Sequence, residues 1–196
     1  MVDKSIHIHV TSAAGLDDVE RFGKNDPYAS FTLDLNDKSA FKKTSVKKNA
    51  GRHAEWNEVV ILNNYDPSRH RTLYVDVMDD EKLADEPIGF ASIPLYQAAD
   101  APNKSFKGKF DLFNDKNKHK GFISLTITII ETSRSGENIT NSNPEVKGES
   151  QADSDHQKHI KKLIRLEHAS DAATLAAGAA LVFGAKNLLG GDKKKE

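Results

Sequence analysis

Carboxylates crowd two short stretches of the sequence: Asp17, Asp18, Glu20 and Asp26 in the first, and Asp79, Asp80, Glu81, Asp85 and Glu86 in the second. Brought to one end of a fold, such groups repel one another unless a cation joins them. Calcium suits them, because it takes about six to eight oxygen ligands with tolerant geometry, and flexible loops supply both carboxylates and backbone carbonyls. Zinc fits less well, since the chain has no cysteine and no histidine pair lies among these residues. Ordinary solvated turns, with Arg21, Lys24 and Lys82 as counter-charges, would carry the same residues. A second group of reactive type is basic: Lys42, Lys43, Lys47 and Lys48. It can contact anionic headgroups at about 1 kcal/mol per residue near a lipid surface, or simply protect a solvated edge strand. Phe22 and Leu83 stand as apolar residues among charges in the two acidic stretches, where they either dip into a lipid interface or pack within their loops. Catalysis is not expected. The sequence has no Gly-x-Ser-x-Gly elbow, no phosphate-binding glycine loop ending in Lys-Ser or Lys-Thr, and no His-Glu-x-x-His.

Strands must position these residues. Apolar residues alternate at Ile6, Ile8 and Val10, at Phe31, Leu33 and Leu35, at Leu73, Val75 and Val77, and at Ile123, Leu125, Ile127 and Ile129. Period two means half-buried strands. Further strands are expected over Phe41 to Val46, Val59 to Leu62, Ile88 to Pro94 and Phe106 to Phe113, separated by Gly, Pro, Asn and Asp clusters. About eight strands with no helical stretch between them predict an all-β, antiparallel sandwich over residues 1–132. Trp56, Phe31, Tyr74 and Phe122 supply aromatic bulk for its core. The loops of a sandwich gather at its two ends, so the two acidic stretches can meet.

Residues 133–155 turn to Ser, Asn, Glu, Gly and Lys, and read as a disordered, flexible linker. A tail follows over 156–190. In it Ile160, Leu163, Ile164 and Leu166 fall at helical spacing among Lys158, Lys161, Lys162 and Arg165, which predicts an amphipathic basic helix from His156 to His168. His156, His159 and His168 read as exposed polar positions of that helix. A second, Ala- and Gly-rich segment from Ala172 to Ala185 is short of the ~20 residues that span a bilayer. The tail is expected either to anchor at a membrane interface or to self-associate. A formal net charge of -1 gives no global field for nucleic acid. The opening MVDKSIHIHV lacks the apolar stretch of a secretory signal, and a cysteine-free chain agrees with a cytoplasmic setting, peripheral to membrane.

Three landmarks carry a family resemblance. The run LDDVERFGKNDPY, Leu16 to Tyr28, resembles the first calcium loop of the C2 domain family, known from protein kinase C and synaptotagmin. Glu20 stands where that loop has its first Asp, Gly23 and Asn25 stand at its Gly and Ser, and Asp26-Pro27-Tyr28 match outright. Lys43, Thr44, Val46, Lys47 and Lys48, followed by Trp56-Asn57-Glu58, resemble the lysine-rich strands ending in Trp-Asn-Glu, without the usual Asn-Pro before the Trp. VMDDEKLADEPIG, Val77 to Gly89, resembles the third loop, with Asp79, Glu81 and Asp85 or Glu86 at its acidic positions. The resemblance implies a C2-type sandwich that attaches to an anionic phospholipid surface. It also implies calcium held by Glu20, Asp26, Asp79, Glu81, Asp85 and Glu86, and lipid contacts from Phe22, Leu83 and the four lysines. Glu in place of Asp and a shortened third loop point to one or two weakly held ions. The alternative is a calcium-independent protein-interaction module whose tail self-associates or anchors.

Overall fold

A computed structural model describes residues 4–20, 23–131 and 143–169. The chain folds as the all-β sandwich that the alternating strands predict. Its strands are β1 (Lys4–Ala14), β2 (Pro27–Thr32), β3 (Lys42–Lys43), β4 (His53–Leu62), β5 (Thr72–Asp79), β6 (Glu86–Pro94), β7 (Ser105–Phe113) and β8 (His119–Glu131). A one-turn helix, α1 (Tyr96–Ala99), follows β6. The hydrogen-bonded order is β3-β2-β5-β6-β7-β8-β1-β4, and all neighbouring pairs in that path are antiparallel. Between β6 and β7 the ladder thins to the single pair Phe90–Phe113, so β3-β2-β5-β6 and β7-β8-β1-β4 act as the two layers.

Between the layers lie Ile6, Ile8, Val10, Phe31, Trp56, Leu73, Val75, Val77, Ile93, Phe110, Leu112, Ile123 and Leu125. Alternation decides which residues these are: Leu73, Val75 and Val77 of β5 face inward, which turns Tyr74, Asp76 and Met78 to the outer face. Two expected strands are shorter than their apolar patterns. The chain leaves β2 after Thr32, whose hydroxyl caps the turn at Asp34, and Leu33 packs on the core from a loop. Of Phe41 to Val46 only Lys42 and Lys43 pair with β2.

The stretch that reads as linker behaves differently where it is described. Residues 143–151 run along the sandwich: β9 (Val146–Lys147) pairs parallel with β7, and Ser92 and Gln151 exchange both backbone hydrogen bonds, at 2.9 and 3.0 Å. Glu149 and Gln97 likewise bond reciprocally, at 2.7 and 2.9 Å. Polar composition conceals this, because backbone pairing needs no apolar side chain. A helix, α2 (residues 154–169), then crosses the outer face of β2, β5 and β6. Asp153 begins it, its carboxylate accepting from the amides of Asp155 (2.9 Å) and His156 (3.2 Å). The Ala- and Gly-rich segment lies outside the described residues.

Gly148 shows how closely the strap packs, since a Cβ there would stand 2.2 Å from Cε1 of the fully buried Phe110 ring. Gly148→Ala should therefore cost about 1–3 kcal/mol in a urea titration. Wild-type stability in that variant would mean the strap does not hold this position in solution.

Candidate cation and lipid site

Loop 1, between β1 and β2, is organised by the fully buried Asn25. Its Oδ1 accepts from the Val19 amide at 3.1 Å, and its Nδ2 donates to the Asp17 carbonyl at 2.6 Å. Arg52 fastens the loop's start, donating from Nε to the Leu16 carbonyl at 2.8 Å. This scaffold places Asp26 opposite the end of β5. The Asp26 amide donates to Asp79 Oδ1 at 2.5 Å, and the Asp80 amide returns to the Asp26 carbonyl at 3.2 Å. The two acidic stretches, far apart in sequence, thus meet at one end.

Asp79 is the buried centre of that end. It is 1% exposed, and its Oδ2 has no hydrogen-bond partner. Burial, reinforced by the charges of Glu81, Glu20 and Asp26, lifts its carboxyl to about 6. Glu86, paired with Asp79 across β5 and β6, is raised to about 7 by burial and by the negative charges of Glu167, Asp79 and Glu81. Asp26 goes the other way. Burial alone would raise it, but the Asn49 amide at 2.5 Å and the Lys48 ammonium at 3.0 Å outweigh that and hold it below the usual carboxylate range. Lys48 also reaches Asp80 Oδ2 at 2.7 Å, so one ammonium bridges both acidic loops.

The remaining predicted residues divide. Glu20 folds back over Gly23, where a Cβ would come 2.5 Å from its Oε2. Glu81 donates its amide to Asp85 Oδ1 at 3.3 Å, and Asp85 Oδ2 accepts the Tyr28 hydroxyl at 2.5 Å, so Asp85 staples loop 3, between β5 and β6, to β2. Leu83 is 58% exposed at the tip of loop 3, and Phe22 lies outside the described residues. The four lysines do not form one patch. Lys42 is exposed, Lys43 sits 4.7 Å over the Tyr28 ring, Lys47 pairs with Glu58 at 3.3 Å, and Lys48 is drawn into the acidic end. Lys47 and Lys48 follow β3 in a loop, so strand alternation does not govern them. Asp80 falls outside the expected ligand set. Its pairing with Lys48 depends on a fold contact across 32 positions, which no local pattern announces.

Among the described residues no three Asp, Glu or His side chains are already drawn together as a metal-holding set. The orphaned Asp79 oxygen nevertheless fits a cation, because a buried carboxylate oxygen without a donor is a costly arrangement that a hard ion relieves. Among the described residues no helix is long and apolar enough to cross a membrane.

A two-layer β-sandwich carrying acidic loops at one end matches the model of the C2 domain over residues 4–112. The chain belongs to the C2 domain family, whose members are in general membrane- and lipid-binding modules and typically non-catalytic. It is 30% identical over 101 residues to "Protein SRC2 homolog" of Arabidopsis thaliana, covering 50% of this chain and 31% of that protein. It is 26% identical over 132 residues to "Protein SRC2" of Glycine max, covering 63% of this chain and 45% of that one. The chain thus spans less than half the length of these relatives. A C2 domain of plant extended synaptotagmin 1 superposes with a TM-score of 0.56 at 25% identity, over 67% of this chain and 97% of that one.

Proposed function

We propose that this chain is a cytoplasmic, peripheral phospholipid-binding module in which calcium, held between loops 1 and 3, turns a repulsive acidic end into one that attracts lipid phosphate. The observation that carries this is the buried Asp79 carboxylate with one oxygen unpartnered, amid Glu20, Asp26 and Glu81. Asp26, Asp79 and Glu81 would hold the ion, with Glu20, Asp80 and Glu86 at its margin. Bound calcium supplies positive charge and open oxygen-accepting positions. The protein's own residues do the rest. Asn25 and Arg52 fix loop 1, Tyr28 and Asp85 fix loop 3, and Leu83 presents an apolar tip beside the charge.

A second reading has one observation in its favour. Lys48 already places an ammonium between Asp26 and Asp80, which is what a calcium-independent module would use to keep its loops together. The full 196-residue chain on phosphatidylserine vesicles, with calcium and with chelator, separates the two. The calcium reading requires tighter binding and a higher melting temperature in calcium. Identical behaviour in both buffers leaves the calcium-independent module. Lys48→Gln sharpens the comparison. Removing the resident cation should lower stability in chelator and strengthen calcium binding about tenfold, read by calorimetric titration. Unchanged calcium affinity in this variant would show that Lys48 and the ion do not compete.

A further inference from the structure

Helix α2 is amphipathic, but its apolar face is turned onto the sandwich. His156 and Ile160 are buried, Leu163, Ile164 and Glu167 are partly so, and His159 stacks on Phe41 at 5.6 Å between ring centroids. At helical spacing the opposite face is one stripe: Lys158, Lys161, Lys162 and Arg165, all exposed. Asp155, which pairs with Lys158 at 2.8 Å, and Asp34, which lines a cavity with Lys158 and Lys162, are acidic side chains bordering it. Glu167 turns inward, 13% exposed. The stripe ends at loop 3. Leu163 and Leu166 of α2 line one cavity with Ala84 and Asp85, and Leu166 and Leu83 are 51% and 58% exposed. A row of cations leading to two exposed leucines fits an anionic bilayer surface, with headgroups along the row and the leucines at the acyl boundary. A soluble acidic partner would use the cations but has no need of the two leucines.

We propose that the docked α2, seated on the sandwich and not released from it, is a membrane-contact face for anionic phospholipid that works without calcium. This rests on the module being a lipid binder, but not on calcium in the acidic loops. The stripe is charged at neutral pH whether or not a divalent ion is present, and docking spares the membrane the cost of ordering a free helix.

The test uses the full chain on vesicles of phosphatidylserine with phosphatidylcholine, and on phosphatidylcholine alone, in chelator and in calcium. In chelator, wild type should bind the anionic vesicles only, and more weakly at high salt. Lys161→Glu/Arg165→Glu, both at exposed positions, should bind at least tenfold more weakly in chelator and keep any increment that calcium adds. The chain lacks cysteine, so Phe41→Cys/His159→Cys joined by a short thiol crosslinker can hold α2 on the sheet, with the uncrosslinked variant as folding control. Crosslinked protein should bind as the control does. The proposal is overturned if the charge reversal leaves chelator binding unchanged, if wild type does not bind in chelator, or if crosslinking abolishes binding. Chelator binding with no calcium increment would support α2 and refute the calcium site.

Discussion

His156→Ala should destabilise the folded chain by about 3–5 kcal/mol, the largest loss expected of any single helix substitution. His156 has no exposed surface. Its Nε2 lies 2.6 Å from Asp76 Oδ1 and its Nδ1 lies 2.9 Å from Ser92 Oγ, while Phe90 and Tyr74 meet its ring edge-on at 4.7 and 5.2 Å. Removing the ring strands a carboxylate that is 3% exposed under a packed helix, and His159, 3.6 Å from the other oxygen, is too distant to replace a hydrogen bond. Urea unfolding measures the loss, and a double-mutant cycle with Asp76→Asn should return a coupling of about 1–3 kcal/mol. A loss below about 1 kcal/mol would mean that α2 is mostly undocked in solution. The pH dependence has a definite sign. Burial would raise Asp76, but the His156 hydrogen bond, with the charge of His156 and His159, overcomes it and holds the carboxyl below its ordinary range. Its contribution is therefore full above the unfolded value near pH 4 and is lost as pH falls through the lower folded value.

Ser92, His156 and Asp76 have the residue types of a hydrolytic triad, yet the arrangement does no such chemistry. Ser92 is fully buried, and its backbone N–H and C=O both bond Gln151. No substrate carbonyl can approach a hydroxyl sealed under a helix. The constellation is a latch. It joins residues 143–169 to a sandwich whose family match ends at residue 112, so the folded unit is longer than the family match.

Particular residues explain what can be read in advance. Inward alternation at Leu73, Val75 and Val77, and at Ile123, Leu125 and Ile127, places the core because period two maps directly onto the faces of a strand. The same rule turns Asp76 outward and implies solvent. What covers it arrives 80 positions later, a distance at which no periodicity reports. His156 reads as an exposed helix polar for the same reason. Its burial depends on α2 choosing the sheet over water, and the partner residues Asp76 and Ser92 make that choice favourable for the imidazole. At the acidic end the types and spacing of Asp26, Asp79, Glu81 and Asp85 are visible in the sequence. The unequal environments of these four are not. Asp85 is taken up by Tyr28, Asp26 by Lys48 and Asn49, and Asp79 keeps a buried oxygen without a hydrogen-bond partner.

That inequality makes Asp79→Asn the most informative change at the site. An Asn keeps Oδ1 for the Asp26 amide and puts an amide nitrogen where the unpartnered oxygen stands, facing the negative field of Glu81 and Glu20. In chelator at pH 7.5 the variant should be more stable than wild type by about 1 kcal/mol, because a carboxyl raised to about 6 is ionised there against its surroundings. For such a group protonation is the stabilising event, so wild-type stability from this residue falls as pH rises from about 4 through 6, and the variant should not share that slope. In calcium the order should reverse. Wild type should gain melting temperature, the variant should gain almost none, and vesicle binding should lose its calcium-dependent part by about a hundredfold in affinity. Ordinary acidic turns predict the opposite pattern, with no gain in chelator and no loss in calcium, since a solvated carboxylate costs nothing to keep and holds no ion. Differential scanning calorimetry of the two proteins in the two buffers therefore distinguishes a metal centre from a decorated loop without reference to any lipid.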